Sequence, residues 1–176
     1  MRKPVLVINP GSTSTKVAVF EGEACLFSQN ITHSAEELAP FANIASQFDF
    51  RCKTILQFLA EHHFDIKSLA AVIGRGGMLH PIPGGVYAVN EAMRQDLLSA
   101  RYGEHASNLG GLIAYEIAQD LGVPAYIADP VVVDELCDLA RVSGHKLFKR
   151  ESVFHALNQK AVAKRYAKEH GKKYEE

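Results

Sequence analysis

The feature that most constrains this chain is a hydroxyl-rich turn set between two β-branched runs near its start. Val5-Leu6-Val7-Ile8 leads into Asn9-Pro10-Gly11-Ser12-Thr13-Ser14-Thr15-Lys16, and Val17-Ala18-Val19-Phe20 follows. The pattern predicts strand, tight turn, strand. Pro10 fixes the entry, and Gly11 lets the backbone bend where a side chain would clash. The turn carries four hydroxyls, an amide and an ammonium, and no acid. Turn N–H groups and hydroxyls converging beside Lys16 make a cradle for phosphoryl oxygens, although the same letters suit an ordinary Ser/Thr-rich hairpin. The stretch is not a Walker loop, whose lysine precedes a helix; here Lys16 opens a strand.

The totals exclude several classes. A chain of 176 residues, 47% hydrophobic and 22% charged, is an ordinary soluble globular one, with one domain and at most a small appendage. Its net charge of −1 argues against nucleic-acid or membrane partners but leaves room for a local positive pocket. No apolar run reaches the roughly 18 residues of a membrane span, and Met1-Arg2-Lys3-Pro4 leads into a short strand rather than a long apolar segment. Cys25, Cys52 and Cys137 are far apart and form no C-x-x-C pair, which predicts reduced thiols in a cytoplasmic setting. The histidines show no H-E-x-x-H spacing, and no G-x-S-x-G nucleophile elbow occurs.

Along the chain, residues 25–33 read as a third strand, antiparallel to the second. Ser34-Ala35-Glu36-Glu37 reads as a capping box opening a short helix. Residues 49–63 show helical apolar spacing, with His62 and His63 at the end as favourable C-terminal charge rather than ligands. Residues 69–74 form a short apolar strand that delivers Arg75 to its carboxyl end, where sites in α/β sheets gather. A turn-rich loop over 78–87 and a helix over 91–100 follow. A strong helical pattern at Leu112, Ile113, Tyr115, Ile117, Ala118 and Leu121 stops at Gly122. His105 stands at its entrance, where anions are favoured. Residues 123–128 are a second buried strand, delivering Asp129. The last helix is expected from Glu151 to about residue 170, with His155 in its first turn and a solvated face of Lys160, Lys164, Arg165 and Lys168. Each candidate also has a plain reading: Arg75 a surface cation, Asp129 a turn former before Pro130, His155 a packing residue.

Several strings together resemble one family. N-P-G-S-T-S-T-K over 9–16, S-x-E-E-L after His33 and G-R-G-G-M-L-H-P-I-P-G-G-V-Y over 74–87 are similar to butyrate kinases. So are G-E-H-A-S-N-L-G over 103–110, D-P-V-V-V-D-E over 129–135, and A-R-V-S-G-H followed by F-H-A-L-N-Q-K. The likeness runs in order along essentially the whole chain. It implies the acetokinase branch of the actin, sugar-kinase and Hsp70 superfamily. The expected fold is a ribonuclease H-like three-layer α/β domain, with a mixed five-stranded sheet whose first three strands are antiparallel.

The resemblance implies the reversible reaction of butanoate with ATP to butanoyl phosphate and ADP, with Mg²⁺. It marks Arg75, His105, Asp129 and His155 as catalytic, and Asn9, Ser12, Ser14 and Lys16 as phosphate-binding. Asn9 and Asp129 would hold the metal, and Gly77 and Phe154 would line the substrate pocket. Acetate kinases place a branched residue where Gly77 stands, so the glycine is expected to leave room for methylenes worth roughly 0.8 kcal/mol each. The resemblance further implies an N-terminal acetokinase-type domain over 1–170, the start of an interdomain linker over 171–176, and a second domain lying elsewhere. On that expectation the chain alone is inactive, and the full-length enzyme is a cytoplasmic homo-oligomer. Alternative readings are a non-catalytic binding or assembly module, or a kinase for acetate, another short-chain acid or a branched-chain acid.

Overall fold

The computed structural model describes residues 3–175. The hydroxyl-rich turn joins β1 (Val5–Pro10) to β2 (Ser14–Glu21), and β3 (Ala24–Thr32) completes an antiparallel meander. Two buried strands, β4 (Ala71–Arg75) and β6 (Ala125–Ala128), run parallel to β1, and β5 (Val86–Ala88) lies antiparallel on the outer edge of β6. The sheet order is β3-β2-β1-β4-β6-β5. This is the ribonuclease H-like α/β arrangement, with six strands rather than five. The additional strand, β5, spans three residues after Pro83-Gly84-Gly85, too few to show an alternating pattern.

Among the described residues five α-helices accompany the sheet: α1 (Ala35–Leu38), α2 (Phe48–Glu61), α3 (Glu91–Leu98), α4 (Asn108–Leu121) and α5 (Ala156–Glu169). The Ser34 and Glu37 side chains close the capping box of α1. Asn90 caps α3 by accepting from the Met93 N–H, and Gly122 ends α4 in the left-handed conformation (φ 65°). The core lies between one sheet face and helices α2 and α4: Leu6, Ile8, Val17, Val19, Val72 and Ile127 meet Ile55, Leu59, Leu109 and Ile113. Among the described residues no helix is long and apolar enough to cross a membrane.

Several boundaries differ from expectation, those of α5 and α2 among them. α5 begins at Ala156, not Glu151, because the buried Ser152 hydroxyl donates to the Val133 carbonyl (2.6 Å) and holds the preceding segment away from helix. His155 is therefore the residue before the helix, not part of its first turn. α2 ends at Glu61, and His62 stacks on Phe27 with ring centroids 4.8 Å apart.

One close approach positions the site. A Cβ added at Gly74 would come within 2.0 Å of the Gly110 carbonyl oxygen, and one at Gly110 within 2.3 Å of the Arg75 carbonyl oxygen. Glycine at both positions lets α4 lie backbone to backbone against β4, which brings the start of α4 beside Arg75.

Candidate active site

The parallel strands β1, β4 and β6 end at one edge of the sheet, and each delivers a polar residue there: Asn9, Arg75 and Asp129. Strand register extends the row. Lys16 pairs with Asn9 and with Asn30, and the Ile8–Gly74 pairing sets Arg75 level with Asn9. Alternation puts these side chains on the face opposite Leu6, Ile8 and Val17, away from the core.

A cavity of about 260 Å³ opens at this edge. Asn9, Ser14, Lys16, Arg75, His105 and His155 all line it, joined by Asn30 and Ser107. Residues far apart in sequence thus share one hollow rich in cations and hydrogen-bond donors. Ser12 is exposed on the turn outside the lining, and Asp129 stands directly behind Arg75 and His155.

Asp129 organises the far wall. It adopts φ 50°, an uncommon backbone state for a residue with a Cβ, and so turns its carboxylate to one neighbour and its carbonyl to another. Arg75 Nη2 donates to Asp129 Oδ2 at 3.0 Å, which uses one of five guanidinium donors. His155 Nδ1 lies 2.9 Å from the Asp129 carbonyl oxygen and 3.3 Å from Oδ2. A carbonyl only accepts, so Nδ1 carries the hydrogen and neutral His155 keeps Nε2 as an acceptor. Burial, and then the nearby Arg75 charge, hold the His155 pKa below the ordinary value against the opposing pull of Asp129. At the start of α4, His105 Nδ1 lies 3.2 Å from the Ser107 N–H and 2.7 Å from its hydroxyl. That N–H requires Nδ1 to accept, which leaves Nε2 as the bearer of the hydrogen in the neutral ring.

Asp129 Oδ1 is buried and has no hydrogen-bond partner among the described residues. An orphaned carboxylate oxygen at the end of β6 fits a divalent cation, since Mg²⁺ is commonly held by one or two carboxylates and its own waters. Among the described residues no group of three or more His, Cys, Asp and Glu forms a dedicated metal cluster.

The expected substrate-pocket pair stands apart from the cavity. Gly77 is buried against α4, where an added Cβ would lie 2.4 Å from Asn108 Oδ1 and 2.6 Å from its Cα. At this position the glycine admits the helix, since an added Cβ would meet Asn108 rather than open space. Asn108 ties the segment down, accepting from the Met78 N–H (2.8 Å) and donating to the Gly103 carbonyl (3.0 Å). Phe154 is 42% exposed, outside the cavity lining and next to His155.

Sequence reasoning missed the support beneath the turn. Arg51 of α2 is wholly buried and donates to the carbonyls of Gly11 (2.8 Å), Ser12 (3.0 Å) and Ser14 (2.9 Å). Its position in the stripe Arg51, Ile55, Phe58, Leu59 is a readable signal, a cation where helical spacing demands an apolar residue.

The chain is 57% identical over 176 residues to butyrate kinase 2 of Clostridium acetobutylicum, covering 100% of this chain and 49% of the relative. It is 52% identical over 171 residues to a probable butyrate kinase of Listeria monocytogenes, covering 97% and 48%. The chain thus spans about half the length of the curated relatives it matches. Among solved structures, Porphyromonas gingivalis acetate kinase aligns with TM-score 0.61 at 15% identity, over 98% of this chain and 50% of that one. A Francisella tularensis propionate kinase aligns with TM-score 0.54 at 13% identity, over 97% and 50%. These two likenesses concern the fold. No protein-family model matches the chain.

Proposed function

The chain belongs to the butyrate kinase family, and on that premise we propose that it supplies the carboxylate- and phosphoryl-binding half of a kinase making butanoyl phosphate and ADP from butanoate and ATP. The observation that carries this reading is the single cavity shared by Asn9, Ser14, Lys16, Arg75, His105 and His155. Two anionic reactants must meet there, and the lining offers cations and donors rather than carboxylates.

The chemistry asks little of a base. A carboxylic acid with a pKa of about 4 to 5 is already ionised at neutral pH, so no proton has to be removed. A carboxylate oxygen bonds to the γ-phosphorus, the bond to the β–γ bridging oxygen breaks, and its electron pair leaves with ADP. Arg75 holds the carboxylate through the donors it does not spend on Asp129. Lys16, Ser12, Ser14 and the turn N–H groups hold phosphoryl oxygens, and His105 and His155 face the group in transfer. Asp129 orients both Arg75 and His155 through the contacts described above. Asp129, with help from Asn9, would hold Mg²⁺, which would supply positive charge against the phosphoryl oxygens.

In this reading residues 1–170 form an acetokinase-type domain, 171–176 begin a linker, and the remaining half of the relatives' length carries the nucleotide pocket. One side of a cleft cannot align ATP for in-line transfer, so the chain alone makes no butanoyl phosphate. The test mixes this chain with the second half of the Clostridium acetobutylicum relative and traps acyl phosphate with hydroxylamine. Product is expected with both halves together, and a loss of at least about 100-fold in Arg75→Ala. No product from the mixture, with the intact relative active in the same assay, overturns the reading.

A further inference from the structure

The most unusual group outside the cavity is the guanidinium of Arg51. It enters from the core face, on the opposite side of the turn from the cavity, and its side chain is wholly buried. Nη1 donates to the Gly11 carbonyl (2.8 Å), the Ser14 carbonyl (2.9 Å) and Thr15 Oγ1 (3.1 Å). Nη2 donates to the Ser12 carbonyl (3.0 Å), and Nη2 and Nε both reach Gln47 Oε1 (2.8 and 3.0 Å). Every acceptor is neutral. Among the described residues no carboxylate pairs with Arg51, although a buried arginine is ordinarily matched by one.

Two consequences follow from this geometry. In a trans peptide the carbonyl and the following N–H point in opposite directions. Holding the Gly11 and Ser12 carbonyls on the guanidinium therefore turns the Ser12 and Thr13 N–H groups outward, the arrangement that binds anions in a backbone nest. The charge itself also stays uncancelled beneath that nest.

We infer that Arg51 is a positioning residue for the phosphoryl group, shaping the turn from below and lending it an unneutralised positive charge. The inference rests on the phosphate-binding reading of the turn given above.

Gln47→Glu separates this role from that of a simple tether. The substitution keeps the acceptor and strengthens the hold on Arg51 while cancelling its charge. Binding of inorganic phosphate to the chain is measured by calorimetry, with melting temperature recorded in parallel. The expected result is an unchanged or higher melting temperature with affinity about tenfold weaker. Phosphate affinity within about twofold of wild type overturns the inference, because a tether is indifferent to that charge. Should Gln47→Glu not fold, Arg51→Lys serves, since it retains charge without the planar fork; about tenfold weaker binding supports the inference and unchanged binding overturns it. Lys16→Gln is the control for the underlying reading. If wild type binds no phosphate, or Lys16→Gln binds it equally well, the phosphate site itself fails and the inference with it.

Discussion

At the scale of single residues, Thr15 shows how little latitude the turn has. Its oxygen accepts from Arg51 Nη1 and lies 2.9 Å from His33 Nε2, a contact in which the hydroxyl donates when that nitrogen is unprotonated. A proton on Nε2 would reverse that contact and ask the Thr15 oxygen to accept from both the ring and Arg51. Burial lowers the His33 pKa first and the Arg51 charge lowers it further, while Glu37 pulls the other way. A histidine whose folded pKa lies below its unfolded value near 6.5 contributes stability that is complete above that value and is lost as pH falls through the folded pKa. His155 is shifted in the same direction, chiefly by burial. The chain is therefore expected to lose stability between about pH 7 and pH 5. His33→Gln, which offers Thr15 an acceptor that does not titrate, is expected to lose less over the same range. Urea denaturation of both proteins at the two pH values checks this; equal losses would remove His33 from the account.

At the scale of elements, the contact of β4 with α4 fixes where Arg75, His105 and Ser107 meet, and glycines make it possible. Gly77 belongs to the same device, because its missing Cβ would sit 2.4–2.8 Å from Asn108 atoms. Gly77→Val is accordingly expected to destabilise the fold by about 3 kcal/mol or more through overpacking, measured by urea denaturation, rather than to retune acyl-chain preference. A stable Gly77→Val protein would contradict this. The same contact shows what the letters carried and what they did not. Short apolar runs ending in Arg75 and Asp129, and the apolar spacing of α4, were legible because local pattern and burial coincide there. Strand β5 was not, since its pairing with β6 comes from a partner about 40 residues away and not from its own three residues. The start of α5 was misjudged because a buried serine, not helix propensity, decides the path of residues 151–155. The role of Arg51 was not legible because its acceptors on the turn lie across the fold, 36 to 40 residues earlier in the chain.

At the scale of the whole molecule, a net charge of −1 says nothing about the field at the strand ends, where Lys16, Arg75 and the buried Arg51 gather. A further concentration of positive charge runs along α5, which starts beside His155 and carries Lys160, Lys164, Arg165 and Lys168. Distance decides between them. At 1.5 Å per residue, Lys164 and Lys168 lie roughly 12 and 18 Å along the helix from its start, beyond a Debye length of about 10 Å at 0.1 M salt. Local commitments hold two of these side chains as well: Lys160 pairs with Glu135, and Lys164 lies 5.3 Å from the Tyr174 ring centroid. Phosphate binding at about 0.1 M salt is therefore expected to change by less than about twofold in Lys164→Gln/Lys168→Gln, and by at least about tenfold in Lys16→Gln. Calorimetric titration with inorganic phosphate across a salt series distinguishes the two. A loss in the α5 variant matching that in Lys16→Gln would mean that the anion is held by the diffuse face of the helix, and the strand-end cavity would no longer account for it.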